Sequence, residues 1–161
     1  MAECYLKGMT YPRWITKPLQ GMNLREVAPN LFVGEETSPL RGDWHTIIDF
    51  FGHVPFYVEP AQKAAKRYIR IPFDDGGAFP AGALDAAWTA WQEAELEGGD
   101  TLLHCQAGLS RSASAAYALL RRGYRLRHGV ALARVVTPAT DDQYPMKETL
   151  RSASDWVRGA R

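Results

Sequence analysis

Cysteine is nearly missing from this chain: it occurs twice in 161 residues, as Cys4 and Cys105. Two thiols so far apart in sequence cannot frame a small disulfide scaffold, and a reducing compartment, the cytoplasm, is expected. An excess of charge of one sign is missing as well. Lys and Arg number 19 against 18 Asp and Glu, a net charge of +1, so bulk charge favours neither a nucleic acid nor a membrane as partner. No apolar run reaches the roughly 18 residues of a membrane-spanning helix. The start, Met1-Ala2-Glu3-Cys4-Tyr5-Leu6-Lys7, lacks the basic stretch followed by an apolar one that marks a signal peptide. His45, His53, His104 and His128 are scattered without ligand spacing, so neither a metal nor a cofactor is expected. With 46% hydrophobic and 23% charged residues, the composition is that of an ordinary globular domain. A monomer is expected, with no internal repeat and no low-complexity linker.

Residues 1–23 read as an irregular N-terminal arm, punctuated by Gly8, Pro12, Pro18 and Gly21. Tyr5, Tyr11, Trp14 and Ile15 give it apolar groups with which to dock, and Arg13, Trp14 and Lys17 would suit the wall of a binding site. A single domain is expected over 24–161. Arg25–Ala28 and Asn30–Gly34, split by Pro29, suit a hairpin or edge pair. His45–Phe51 reads as a buried strand, Pro60–Arg67 as a short helix, and Arg67–Ile71 as a strand ending at Pro72. Pro80 suits the first position of a helix. Leu84, Ala87, Trp88 and Trp91 then recur at helical spacing, which places both indoles on one core-facing side, and Gly98-Gly99 ends the run. Thr101–His104 is a short strand, Ala113–Arg122 an alanine-rich helix, Arg127–Val136 a further helix, and Pro145–Val157 the last. Strands alternating with helices predict an α/β fold with a central, largely parallel sheet flanked by helices. Ligands in such sheets sit at the carboxyl ends of strands, which singles out the loops after Ile71 and His104.

The second of those loops is the informative one. It reads His104-Cys105-Gln106-Ala107-Gly108-Leu109-Ser110-Arg111-Ser112. So short a connection between strand and helix must curl tightly, turning successive backbone N–H groups of Gln106 to Ser110 toward one centre. Together with the helix N-terminus, such a nest binds anions. Arg111 adds a planar fork suited to two phosphate oxygens. The same positive field favours a thiolate, so Cys105 is expected to ionise well below the ordinary cysteine pKa of about 8.5. A thiolate beneath a bound phosphate is a nucleophile aimed at phosphorus. At Gly108 the curl needs either a positive φ or close backbone approach.

His-Cys, five residues, Arg-Ser resembles the signature of the cysteine-dependent protein tyrosine phosphatases. The fuller string HCQAGLSRSAS looks like the loop of their dual-specificity branch. Val27–Gly34 is similar to that family's opening hairpin, Ile47-Ile48-Asp49 to its next strand, and Tyr68–Gly76 to the strand and loop carrying its general acid, so the likeness spans roughly 24–137. It implies a protein tyrosine phosphatase-like sheet of four to five strands. It also implies that Cys105 attacks phosphorus, that Arg111 and the loop 106–110 bind the phosphate, and that Ser112 assists the sulfur. Ile71-Pro72-Phe73-Asp74-Asp75-Gly76 aligns Asp75 rather than Asp74 with the general acid, although a shift of one residue would exchange them. His104 would orient the loop from beneath, and Gln143 is the candidate for positioning the attacking water. The substrate implied is a phosphorylated protein or peptide.

Competing readings remain at the level of sequence. A free cysteine is commonly a small buried hydrophobe. Rhodanese-type sulfur transferases carry a loop thiol too, but ordinarily with four residues before the arginine, not five. Phosphatases of phosphoinositides or RNA 5′ ends are an alternative, weakened for the former because Gln106, Ala107 and Leu109 supply no lysine. A phospho-binding pseudophosphatase is a second, opposed by the presence of Cys105, Arg111, Ser112 and an acid. Cys4 is either a resolving partner of Cys105 or a bystander. Arg121, Arg122, Arg125 and Arg127 form a basic cluster, read as a solvated helix end or else an acidic docking patch.

Overall fold

The structure, a computed structural model, describes residues 23–137 and 145–159. The arm with Cys4 and the segment with Gln143 therefore lie outside the described residues. Five strands form one sheet: β1 (Arg25–Ala28), β2 (Leu31–Gly34), β3 (Thr46–Asp49), β4 (Arg67–Arg70) and β5 (Thr101–His104). The helices are α1 (Glu59–Ala64), α2 (Ala83–Leu96), α3 (Arg111–Tyr124), α4 (His128–Val135) and α5 (Lys147–Gly159). Strand order is β1-β2-β5-β3-β4. The β1–β2 hairpin is antiparallel and all other neighbours are parallel.

Central strands β3 and β5 are buried on both faces, which is why their middle residues, Ile47-Ile48 and Leu102-Leu103, are apolar in succession rather than alternating with polar ones. On one face Val33, Ile48, Leu103 and Cys105 pack with α2, α3, α4 and α5. On the other, Leu24, Trp44, Ile47 and Leu102 form a smaller core, with Tyr68 and Ala65 against it. Helix α3 is buried along nearly its whole length. Its run of Ala and Ser leaves no bulk to hold neighbours off, so this helix sits at the centre of the larger layer.

Leu84, Ala87 and Trp91 turn inward as their spacing implies. Trp88 is only partly buried and stacks on Trp91 at 5.6 Å. Arg122 lies over Trp88 at 4.2 Å and Trp156 at 5.1 Å, and Trp156 Nε1 donates to Asp85 at 3.1 Å. Each such cation–π contact is worth about 0.5–1 kcal/mol at a surface. Arg121 donates to Leu126 O and Tyr117 OH. Arg122 thus joins three helices and Arg121 fastens the end of α3 to the turn that follows, rather than presenting a free patch.

Several boundaries differ from the sequence reading. Pro80 does not open α2: Ala83 N donates to Pro80 O at 3.0 Å, closing a turn first, and the helix begins at Ala83. Helix α3 starts at Arg111, two residues before its alanine run, because Ser110 O already accepts from Ser114 N at 2.7 Å. A 3₁₀ turn at Ser38–Arg41 had no periodicity to announce it.

The register matters most for function. Gly34 pairs with His104, His104 with Asp49, and Asp49 with Arg70. The carboxyl ends of four parallel strands therefore lie level, and the loops leaving them meet at one rim.

Candidate active site

Immediately beyond β5, Cys105 is 2% exposed, with Sγ 3.1 Å from Ser112 Oγ. Ser112, in the first turn of α3, is fully buried and approaches Gly34 O at 3.5 Å. A hydroxyl there can donate to sulfur and stabilise its anion. The intervening loop is held from outside. Gln106 O accepts from Glu36 N at 2.9 Å, and Ala107 O accepts from Asn23 Nδ2 at 2.9 Å. With those carbonyls turned outward, no described residue accepts from the amides of 106–110. Gly108 meets both conditions that its position imposed: φ is +75°, and a Cβ would stand 2.8 Å from Gly34 O. Any side chain there would be strained and would strike backbone.

Arg111 is 5% exposed. Its Nη1 donates to Phe73 O at 2.9 Å and Phe50 O at 3.3 Å, tying the fork to the loops after β3 and β4. Its Nε is buried without a hydrogen-bond partner among the described residues. Asp75 Oδ1 faces that nitrogen at 3.7 Å, beyond hydrogen-bond reach. The guanidinium is thus anchored through Nη1, and Arg111 also borders a cavity. Phe51, His53, Pro72, Phe73, Asp74, Asp75, Gln106 and Arg111 line this cavity, which has a volume of about 360 Å³. Both acid candidates stand on its wall; only Asp75 pairs with Arg111.

His104 is fully buried beneath the loop. Gln62, from α1, donates through Nε2 to Asp49 Oδ2 at 3.0 Å, and the same nitrogen lies 3.0 Å from His104 Nε2. Because Asp49 can only accept, the Gln62 amide must present its NH₂ group, and His104 Nε2 must accept. The proton then sits on Nδ1, toward Cys105 O at 3.4 Å. Burial pushes the imidazole pKa down, outweighing the opposing charge of Asp49. Tyr68 completes the network by donating to Asp49 Oδ2 at 3.1 Å, and its own pKa is pushed up to about 12, first by burial and then by Asp49.

A pH dependence of stability follows. Between His104's lowered folded pKa and the ordinary histidine value of about 6.5, the unfolded chain holds more protons than the folded one. Stability contributed by neutral His104 is therefore complete above that value and falls as pH drops through the window, by at most about 1.4 kcal/mol per pH unit. Denaturant unfolding of the wild type and of His104→Gln at pH 7.5 and 5.5 is expected to show a steeper acid loss in the wild type. Equal slopes would contradict the assignment, since the two proteins differ at His104 alone.

Arg25 carries no motif, and sequence reading took it only as part of a strand. It is fully buried, with Nε unpartnered. Its Nη1 donates to Asn23 O at 2.6 Å and its Nη2 to Val135 O, so it braces the residue that holds Ala107. Burial lowers its pKa to about 10, with the charge of a Cys105 thiolate acting the other way.

A strand-end thiol in an amide-lined loop, with a helix N-terminus and a clamped arginine, has the chemistry to hold an oxyanion above a sulfur that could attack it. Comparison of the whole backbone with solved structures decides the fold. Tk-PTP in its active form superposes with a TM-score of 0.71 at 17% identity, covering 87% of this chain and 99% of that one. The chain has the fold of the dual-specificity protein tyrosine phosphatases. Human DUSP28 shares it at TM-score 0.68 and 23% identity, with 91% and 97% coverage of the two chains. TpbA of P. aeruginosa does so at 0.65 and 22%, with 93% and 92% coverage, and a cysteine-to-serine variant of TpbA is known in complex with pTyr. No family model and no curated protein matches the sequence. In this fold, at the rim where the four strand ends lie level, Cys105 pairs with Ser112 and Arg111 with Asp75.

Proposed function

We propose that the protein is a cysteine-dependent phosphatase that hydrolyses phosphotyrosine, and phosphoserine or phosphothreonine, in phosphorylated proteins through a cysteinyl-phosphate intermediate. The observation that carries this reading is the placement of Arg111 at the end of the Cys105 loop: fixed to two carbonyls, with a buried Nε that has no hydrogen-bond partner among the described residues and faces Asp75.

A phosphate dianion entering the cavity takes the Nε edge of Arg111 and the free amides of 106–110. Cys105 Sγ then attacks phosphorus and forms the S–P bond as the P–O bond to the leaving group breaks. Asp75 delivers a proton to the departing oxygen. Water next attacks phosphorus, the Asp75 carboxylate accepts its proton, and the S–P bond breaks to free inorganic phosphate. Ser112 donates to the sulfur as it leaves. Fixed donors aimed at charge that develops during the reaction need not reorganise, and removing one costs about 10²–10³-fold. Phe51, Pro72 and Phe73 give the cavity apolar walls suited to a phenyl ring.

A substrate panel tests the reading. Release of inorganic phosphate is expected from p-nitrophenyl phosphate and from a phosphotyrosine peptide, with slower release from phosphoserine and phosphothreonine peptides. Turnover confined to phosphoinositides or to RNA 5′ phosphates would refute the protein-directed reading. Stoichiometric phosphopeptide binding without turnover would identify a binder instead.

A further inference from the structure

We propose that Thr149 and Ser152, on the first two turns of α5, are positioning residues that hold Asp75 in place over the phosphate loop. Neither lines the cavity, so they act through the backbone of the acid loop. The inference deepens the proposed function and rests on Asp75 being the general acid.

The loop from Pro72 to Phe79 is restrained at both ends, by different elements. On the side before Asp75, Phe73 N donates to Phe50 O at 3.5 Å and Phe73 O accepts from Arg111 at 2.9 Å. On the side after Asp75 the restraint comes from α5. Thr149 Oγ1 donates to Gly77 O at 2.7 Å, and Phe79 N donates to Ser152 Oγ at 2.9 Å. Between these anchors the loop has one internal backbone bond, Gly77 N to Asp74 O at 2.9 Å. Gly76 adopts φ +84°, and a Cβ there would come within 2.8 Å of Met146 Cε, so Met146 closes directly on the residue after Asp75.

The same helix start is fastened to the phosphate loop. Met146 N donates to Ser110 Oγ at 3.0 Å. The first turns of α5 thus tie the loop holding the phosphate to the loop bearing the acid, and they set the spacing between the two. Thr149 is fully buried while Asp75 is half exposed. The anchor is therefore buried, while the side chain it would position faces solvent. Proton transfer demands hydrogen-bond reach, and a misplacement of about 1 Å can cost up to 10²-fold.

The test separates proton donation from general damage. For each full-length protein, kcat/KM, which covers every step through loss of the leaving group, is measured with 2,4-dinitrophenyl phosphate and with phenyl phosphate. The first leaving group departs readily without a proton; the second does not. Thr149→Val is expected to lose about tenfold more rate on phenyl phosphate than on the dinitrophenyl ester. Thr149→Ser, which keeps the hydroxyl, is expected to restore the wild-type ratio, and Ser152→Ala to change the ratio in the same direction as Thr149→Val. Asp75→Asn serves as the reference for full loss of the acid. Equal losses on both esters in Thr149→Val and Ser152→Ala, or no loss in either, would overturn the proposal while the reference still shows selectivity. An unselective Asp75→Asn would instead overturn the acid assignment, and the proposal with it.

Discussion

Cys105→Ser is expected to abolish turnover of p-nitrophenyl phosphate, by about 10⁴-fold or more, while the protein still binds phosphate or vanadate. The substitution changes one atom and leaves the loop amides, Arg111 and Ser112 in place. What it removes is the sulfur, intrinsically a far better nucleophile than a hydroxyl oxygen. A serine hydroxyl would need a base, and the site offers none in reach. His104 takes Gln62 on Nε2 and directs its Nδ1 proton to Cys105 O, so it cannot accept a proton from the residue above it. Ser112 is another hydroxyl. Steady-state kinetics together with calorimetric titration of vanadate measure both halves of this expectation. Residual activity within 100-fold of wild type would mean that the sulfur is not the nucleophile.

Asp75→Asn is expected to lower kcat by about 10²–10⁴-fold and to flatten the part of the pH–rate profile that reports the acid. Asp74→Asn should change kcat by less than about threefold. Both carboxylates border the cavity, so proximity alone does not separate them. The separating feature is direction. Asp75 faces Arg111 Nε at 3.7 Å, on the guanidinium edge that would meet the phosphate. Asp74 contributes its backbone oxygen to the turn with Gly77, which places it at the loop's bend. An inactive Asp74→Asn beside an active Asp75→Asn would reverse the roles. Because Asn is nearly isosteric with Asp, a loss in either variant reports the proton rather than packing.

How far these residues were legible beforehand depended on the distance over which each is determined. The curl at Gly108 could be read from sequence because it is local: a strand-end cysteine and a helix-start arginine five residues apart leave the chain few ways to close. Thr101–His104 was legible because a strand covered on both faces carries consecutive apolar residues, here Leu102-Leu103, and α2 because its apolar residues recur on one face. The starts of α2 and α3 were misread, since a competing turn at Pro80 and a first hydrogen bond at Ser110 leave no periodic trace.

By itself, then, the sequence determined the tight loop from Cys105 to Arg111, the order of strands and helices, and the choice of rim, because local sterics and hydrophobic period act within a few residues. Only tertiary structure decided which proton His104 carries, where Arg111 is clamped, why Arg25 is buried, and what holds the acid loop. Each of those is settled by a partner tens of residues away: Gln62 for His104, Phe50 and Phe73 for Arg111, Val135 for Arg25, and Thr149 for Gly77. A hydrogen bond between distant residues requires only a donor and an acceptor, which nearly every residue possesses. Folding alone selects the pair.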